Sequence, residues 1–404
     1  MARSKQMAEI ADRVRQLMNE YGEDFIALFK HLHRHPELSF HEFETTAMLK
    51  DYLKSLDIEI LDYGLETGVI GLLKGAEDGP CIGLRADIDA LPIVEESGVD
   101  YASTVHGRMH ACGHDVHTSA LMGAACILSK MRDQIKGSVK FIFQPAEEVN
   151  LGAKKLMEHQ VMFNPTVDAL FGIHNSTEVN AGEVAVKLGP LMAAVDRIEF
   201  TIRGKGGHGG IPQNSTDPVV AAASIIMAAQ TIVSRNTGPL DSAVVSICNI
   251  RAGEGTTNNV IPDTVTMLGT VRTYRKEIQD MVDRRLGEII RSISEAYGCT
   301  SEYRYIRELP VTENGPELYD AAYKAVSAVA KPMDPQPSGG GEDFSIYYAA
   351  GAPCFFYWVG SRNEETGCIW PWHSPRFKAD LSAVTVGAGT YAMSVFTAIE
   401  ALRK

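Results

Sequence analysis

AAVDRIEFTIRG (193–204), DPVVAAASIIMAAQTIVSR (217–235), SAVVSICNIRAG (242–253), TVTMLGTVR (264–272), KEIQDMVDRRLGEIIRSISEAYG (276–298) and SEYRYIREL (301–309) follow one another along the chain. They read as strand, helix, strand, strand, helix and strand. The order βαββαβ within about 120 residues is the ferredoxin-like plan. It begins just after Gly189-Pro190 and ends at Leu309-Pro310. On either side the pattern is different. Upstream, amphipathic helical stretches alternate with short β-rich runs, GVIGLLKG (68–75), CIGLRADID (81–89), SVKFIFQP (138–145) and ALFGIH (169–174), and an α/β pattern resumes after Pro310. The expected fold class is therefore α/β with two domains. A mainly parallel-sheet domain comprises residues 1–190 and 311–404, and a ferredoxin-like domain of residues 191–310 is inserted into it.

Composition narrows the function. A chain of 404 residues with a net charge of −13 lacks the basic face that phosphate contacts demand, so no nucleic-acid partner is expected. A small molecule is the expected partner. The N-terminal stretch reads as a charged amphipathic helix, and no apolar run is read as long enough to span a membrane. Seven cysteines scattered without framework spacing fit reduced thiols and a cytoplasmic protein. Cys81, Cys126, Cys248 and Cys354 are expected as small core residues. His31, His33, His35 and His41 are expected in solvated or hydrogen-bonded roles.

The chemistry concentrates in MHACGHDVH (109–117), where Cys112 and His114 offer a thiolate and an imidazole on either side of Gly113. Those are ligand types for Zn, Co, Ni or Mn, and the glycine lets both side chains face one ion. Further candidates stand where strands end, Glu147 and Glu148 in QPAEE (144–148) and His174 after ALFGI, and a last histidine, His373 in WPWHSPRF (370–377), lies near the C-terminus. Adjacent glutamates suit a division of labour in which a metal ties down one carboxylate while its neighbour stays free to carry a proton. A metal-independent cysteine hydrolase using Cys112 with His114 is the alternative. Trp370 and Trp372 suit either an acyl-pocket wall or strand-end packing.

LHRHPELSF (32–40), LRADIDALP (84–92), MHACGHDVH, QPAEE, GKGGHGGIP (204–212), NNVIP (258–262), GGGEDF (339–344) and HSPRF (373–377) occur in the order and rough spacing of the M20 metallopeptidase superfamily. The chain resembles its amidohydrolase branch, the aminoacylases, hippurate hydrolases and auxin-conjugate hydrolases. That resemblance implies an inserted lid and dimerisation domain and a homodimer. It also implies two divalent ions, Zn, Mn, Co or Ni, held by Cys112, His114, Glu148, His174 and His373.

By the same resemblance Glu147 is the general base and Asp87 organises the site, with Asp89 less directly involved. His208 on the inserted domain would reach a partner's active site and stabilise the oxyanion. Asn259, Arg272 and the backbone of Gly340 and Gly341 would recognise a substrate carboxylate. The implied reaction is hydrolysis of an N-acyl amino acid to a carboxylic acid and a free amino acid. A small-peptide carboxypeptidase or dipeptidase is the alternative on the same fold. The chain departs from the branch's usual pattern at GIHNS (172–176), where valine commonly follows the histidine, at PQ after GGHGGI, and at HSPRFKAD, which lacks an acidic residue common soon after the final histidine.

Overall fold

The computed structural model describes residues 2–254 and 257–403. The chain divides into two compact units, one of Met1–Leu191, Glu313–Gln336 and Glu342–Lys404, the other of Met192–Thr312 and Pro337–Gly341.

The first unit is built on an eight-stranded sheet in the order Glu59–Leu61, Val69–Lys74, Lys136–Gln144, Glu77–Asp87, Ala169–Asn180, Cys354–Arg362, Glu183–Ala185 and Lys331–Met333. The central pairings are parallel, with Asp87 beside Gln144, Arg85 beside Gly172 and Trp358 beside His174. Antiparallel pairs join Val69–Lys74 to its neighbours and Glu183–Ala185 to Cys354–Arg362. Apolar runs such as FIF (141–143) and ALF (169–171) are buried along their length, as strands covered on both faces require. The consequence is functional: loops leaving the carboxyl ends of parallel strands converge on one edge.

Helices Ala2–Arg34, His114–Ser129, Pro316–Val329 and Ser382–Leu402 pack together as a layer against this sheet. His114–Ser129 and Ser382–Leu402 meet through small residues. A methyl at Gly123 would lie 2.8 Å from Ala388 Cβ, and one at Gly387 would lie 2.9 Å from Ala120 Cβ. Close backbone approach thus seats the helix that starts at His114. His33, near the end of the first helix, is buried between Asp115 (2.6 Å) and Glu95 (3.1 Å).

The second unit is a four-stranded antiparallel sheet in the order Ala243–Ala252, Thr264–Thr273, Ala194–Arg203, Thr300–Leu309. Helices Pro218–Thr231 and Lys276–Ala296 cover it through a core that includes Ile198, Phe200, Ile225, Val265, Val271 and Leu286. With strands numbered along the insert the order is 2-3-1-4, the ferredoxin-like arrangement.

Two expectations need correction. Cys248 is exposed, not a core residue: alternation along this edge strand, with Ala243 and Val245 facing the core and Val244 facing out, puts it on the outer face, where the register also shifts between Ile247 and Asn249. Two helices, Pro218–Asn236 and Ser382–Leu402, do reach the length and apolarity of a membrane span. Ser382–Leu402 is mostly buried within the unit's core, while Pro218–Asn236 exposes Val219, Val220 and Met227.

Candidate metal centre and active site

Gly113 precedes the helix that begins at His114 and adopts a φ of 89°. A Cβ there would also fall 2.1 Å from Asn175 Nδ2, so both conformation and space demand glycine. This turn places Cys112 and His114 on one side. The His114 Nδ1–H donates to the Asp89 carbonyl at 2.9 Å, which leaves Nε2 aimed at Glu147 Oε2, Glu148 Oε1 and Asp87 Oδ2, each 3.8 Å away. His174 is held in the same way. Its Nδ1–H donates to the Asn175 carbonyl at 2.7 Å, and its Nε2 lies 3.4 Å from Cys112 Sγ. His373 Nε2 lies 3.5 Å from Glu148 Oε2.

The five side chains expected as ligands are therefore brought together with Glu147. Cys112, His114 and His174 form one group whose donor atoms lie within 4.8 Å of one another; Cys112, Glu148 and His373 form a second, and His114, Glu147 and Glu148 a third. Whether a cation fits can be judged from the buried polar atoms. Among the described residues, His114 Nε2 and Glu148 Oε1 are both buried with no hydrogen-bond partner. Burying such atoms unsatisfied costs on the order of 1–3 kcal/mol each, and a cation between them removes the cost. The donor set of one thiol, three imidazoles and one carboxylate, with the remote ring nitrogens of His114 and His174 already engaged, fits a divalent transition metal.

The surrounding electrostatics lead to the same conclusion. Burial lifts the Glu148 carboxyl to about 7, and burial with Glu342, Asp343 and Glu148 nearby holds the Glu147 carboxyl well above the usual carboxylate range. Burial and the nearby Glu148 push the Cys112 thiol up as well. Negative charge has been gathered in a dry place, and positive charge is what would stabilise it. The backbone is strained at the same spot: Ala146 has a φ of 57° and His373 a φ of 65°. The Ala146 N–H is captured by Glu42 Oε1 at 2.9 Å.

Behind the donors stands a second set of residues. Asp87 accepts from His117 Nδ1–H (2.6 Å) and from Arg85 Nη1 (2.8 Å). Asp89 accepts the backbone N–H groups of Glu147 and Glu148, each at 3.1 Å, and the Ser39 hydroxyl at 2.6 Å. It is an anchor for the glutamate pair, a larger role than its sequence context suggests. Arg85 is fully buried and also contacts Asp343 (2.7 Å) and Glu342 (3.1 Å). The Asp343 N–H donates to Glu147 Oε1 at 3.3 Å. Sequence alone does not place the acidic pair of GGGEDF or the asparagine of GIHNS at the site. The only sequence signals were an acidic doublet after a glycine run and a polar residue where valine is usual. Trp372 packs edge-on against His174 with centroids 4.7 Å apart, and Trp370 is partly exposed under Arg376.

The remaining candidates lie in the second unit. His208 is exposed and its Nδ1 accepts the Gly210 N–H at 3.0 Å, which places its ring proton on Nε2 as a donor. Asn259 is beside it, its carbonyl accepting the Gly209 N–H at 2.7 Å. Arg272 donates through Nε to the Gly339 carbonyl at 3.1 Å. Gly340 takes the Ala193 N–H on its carbonyl at 3.0 Å, and Gly341 packs where a Cβ would lie 2.2 Å from Val195. Within this unit the structure thus brings His208 to Asn259, and Arg272 to the glycine run.

Residues 83–396 match the model of peptidase family M20/M25/M40. The chain is 45% identical over 380 residues to an N-acetylcysteine deacetylase of Bacillus subtilis (strain 168), covering 94% of this chain and 97% of that protein. It is 37% identical over 389 residues to thermostable carboxypeptidase 2 of Saccharolobus solfataricus, covering 95% of this chain and 98% of the relative. Among solved structures it is similar to the YxeP protein of Bacillus subtilis, described as a dinuclear metal-binding peptidase. That likeness has a TM-score of 0.84 and 41% identity, and covers 95% of this chain and 99% of the other.

Proposed function

Since the chain belongs to peptidase family M20/M25/M40 and is a hydrolase of that family, we propose that it cleaves the amide of N-acyl amino acids, releasing a carboxylic acid and a free amino acid. Cys112, His114, Glu148, His174 and His373 would hold two divalent ions, with Zn, Mn, Co or Ni suiting the mixed donor set. When bound, the ions would supply carbonyl polarisation and a lowered pKa for the attacking water.

The chain's own residues do the rest. Glu147 takes the proton from the attacking water and returns it to the departing amine. The Asp343 N–H on Oε1 fixes that carboxylate's orientation, leaving Oε2 on the His114 side. Asp87 acts indirectly, holding His117 and facing His114. His208 offers its Nε2–H to the oxyanion, and Asn259, Arg272, Gly340 and Gly341 receive the substrate carboxylate. The second unit supports a homodimer, because the edge strand Ala243–Ala252 exposes Val244 and Ile250 and the neighbouring helix exposes Met227. A two-fold axis there would carry each His208 to the other subunit. Seven free cysteines suit a reducing, cytoplasmic compartment.

The observation that carries this reading is the pair of buried atoms without a hydrogen-bond partner among the described residues, His114 Nε2 and Glu148 Oε1, 3.8 Å apart with Glu147 beside them. Glu147→Gln should keep its metal and lose turnover of N-acetyl, N-benzoyl or indoleacetyl amino acids by about a hundredfold or more. Metal analysis showing Glu147→Gln metal-free and Glu148→Gln metal-replete would reverse the two roles. The similarity to a carboxypeptidase supports a second reading, a small-peptide carboxypeptidase or dipeptidase, which the same assay separates by including dipeptides. A cysteine nucleophile is disfavoured: burial raises the Cys112 thiol, whereas nucleophilic cysteines have lowered pKa values.

A further inference from the structure

We infer that Asn175 is a positioning residue for three of the metal-binding side chains, its amide clamping the Cys112 turn to the strand that carries His174 and its carbonyl setting the His174 ring and the approach to His373. The inference rests on the metal-centre reading above. Asn175 is fully buried, and its Nδ2 donates to the Cys112 carbonyl at 2.6 Å. The same Nδ2 lies 3.1 Å from His117 Nε2, which also accepts the Asn175 backbone N–H at 2.8 Å. With Nε2 an acceptor, the His117 proton sits on Nδ1 and points to Asp87. Asn175 Oδ1 accepts the Ser361 hydroxyl at 3.3 Å, which fixes the rotation of the amide.

The backbone of Asn175 extends the clamp. Its carbonyl accepts both the His174 Nδ1–H at 2.7 Å and the Trp372 indole N–H at 3.1 Å. The first bond frees His174 Nε2 for a ligand. The second ties down the residue before His373, whose own N–H donates to the Ala111 carbonyl at 2.8 Å. Gly113 completes the fit, because any Cβ there would lie 2.1 Å from Asn175 Nδ2. Three of the five donors, Cys112, His174 and His373, are thus referred to one residue.

Asn175→Val would keep the backbone bonds and remove only the amide. Buried partners of this kind typically contribute 10–100-fold to metal affinity. The test is titration of Co(II) into metal-free protein, following the thiolate-to-cobalt charge-transfer band that reports on Cys112, with the melting temperature of the metal-free protein as a control for folding. Wild type should bind cobalt and show the band. Asn175→Val should bind at least tenfold more weakly with a weakened or shifted band, and Asn175→Asp, which keeps size and loses both N–H donors, should do the same. Trp372→Phe keeps the ring against His174 and removes one bond to the Asn175 carbonyl, and Ser361→Ala removes the bond that fixes the rotation of the amide; each should show a smaller shift, and Ser361→Ala keeps the amide clamp testable if the Asn175 variants fail to fold. If wild type binds no cobalt, the metal reading fails whatever Asn175 does. If wild type binds and the folded variants match its affinity and spectrum, the inference about Asn175 is overturned.

Discussion

Each unit buries a carboxylate network, and the two networks differ in whether they close. In the second unit, Asp196 accepts Gln279 Nε2 on both oxygens at 2.9 and 2.8 Å and the Tyr305 hydroxyl at 2.6 Å, and the charge is surrounded by donors. In the first unit, Asp87, Glu147, Glu148, Glu342 and Asp343 crowd around His114 and Arg85, and among the described residues His114 Nε2 and Glu148 Oε1 find no hydrogen-bond partner. A closed network serves stability; one left open at a strand-end cleft marks where a further charge belongs. The sheet types follow the same division. Parallel strands deliver loops to one edge, while the antiparallel sheet keeps its polar residues for internal bracing.

The comparison can be broken most forcefully at Arg85, the one guanidinium that neutralises the open network from behind. Arg85→Leu leaves Asp87, Glu342 and Asp343 buried without it and should cost about 3–5 kcal/mol in chemical denaturation. A loss below 1 kcal/mol would show that these carboxyls do not depend on it.

A second closed network, in the first unit, makes a pH-dependent prediction. Burial opposes charge on His33, yet Asp115 and Glu95 raise its pKa from 6.5 to about 9. Because the folded value lies above the unfolded one, the contribution is complete below pH 6.5 and is lost as pH rises through about 9. The size is roughly 3 kcal/mol. The stability gap between wild type and His33→Gln should therefore shrink between pH 6.5 and 10, and a gap that widens would contradict the assignment. The smallest effect belongs to the second unit. Tyr305→Phe removes one hydrogen bond to Asp196 and should lower stability by about 1 kcal/mol while leaving cobalt binding unchanged.

What the sequence reveals follows from how local each feature is. The βαββαβ order was legible because strand and helix patterns are contained within each segment, and Cys112 and His114 were legible because one turn holds both. The supporting residues were not. Asp89 meets the Glu147 and Glu148 amides across 58 and 59 positions, and Arg85 meets Asp343 across 258. Such pairs depend on strand register, which no local pattern records. Asn175 looked like a departure in a motif, and only the fold shows that its amide reaches the Cys112 carbonyl. Cys248 stands in an apolar run, and composition alone does not say which face it takes; alternation from the buried Ala243 and Val245 puts it with the exposed Val244.

The central claim, that the open network takes divalent cations on which hydrolysis depends, is tested most directly by stripping the protein with a chelator and measuring metal content and N-acyl-amino-acid turnover on the same samples. Turnover should fall with metal content and return on adding Mn, Co, Ni or Zn. Full turnover in demonstrably metal-free protein would contradict it.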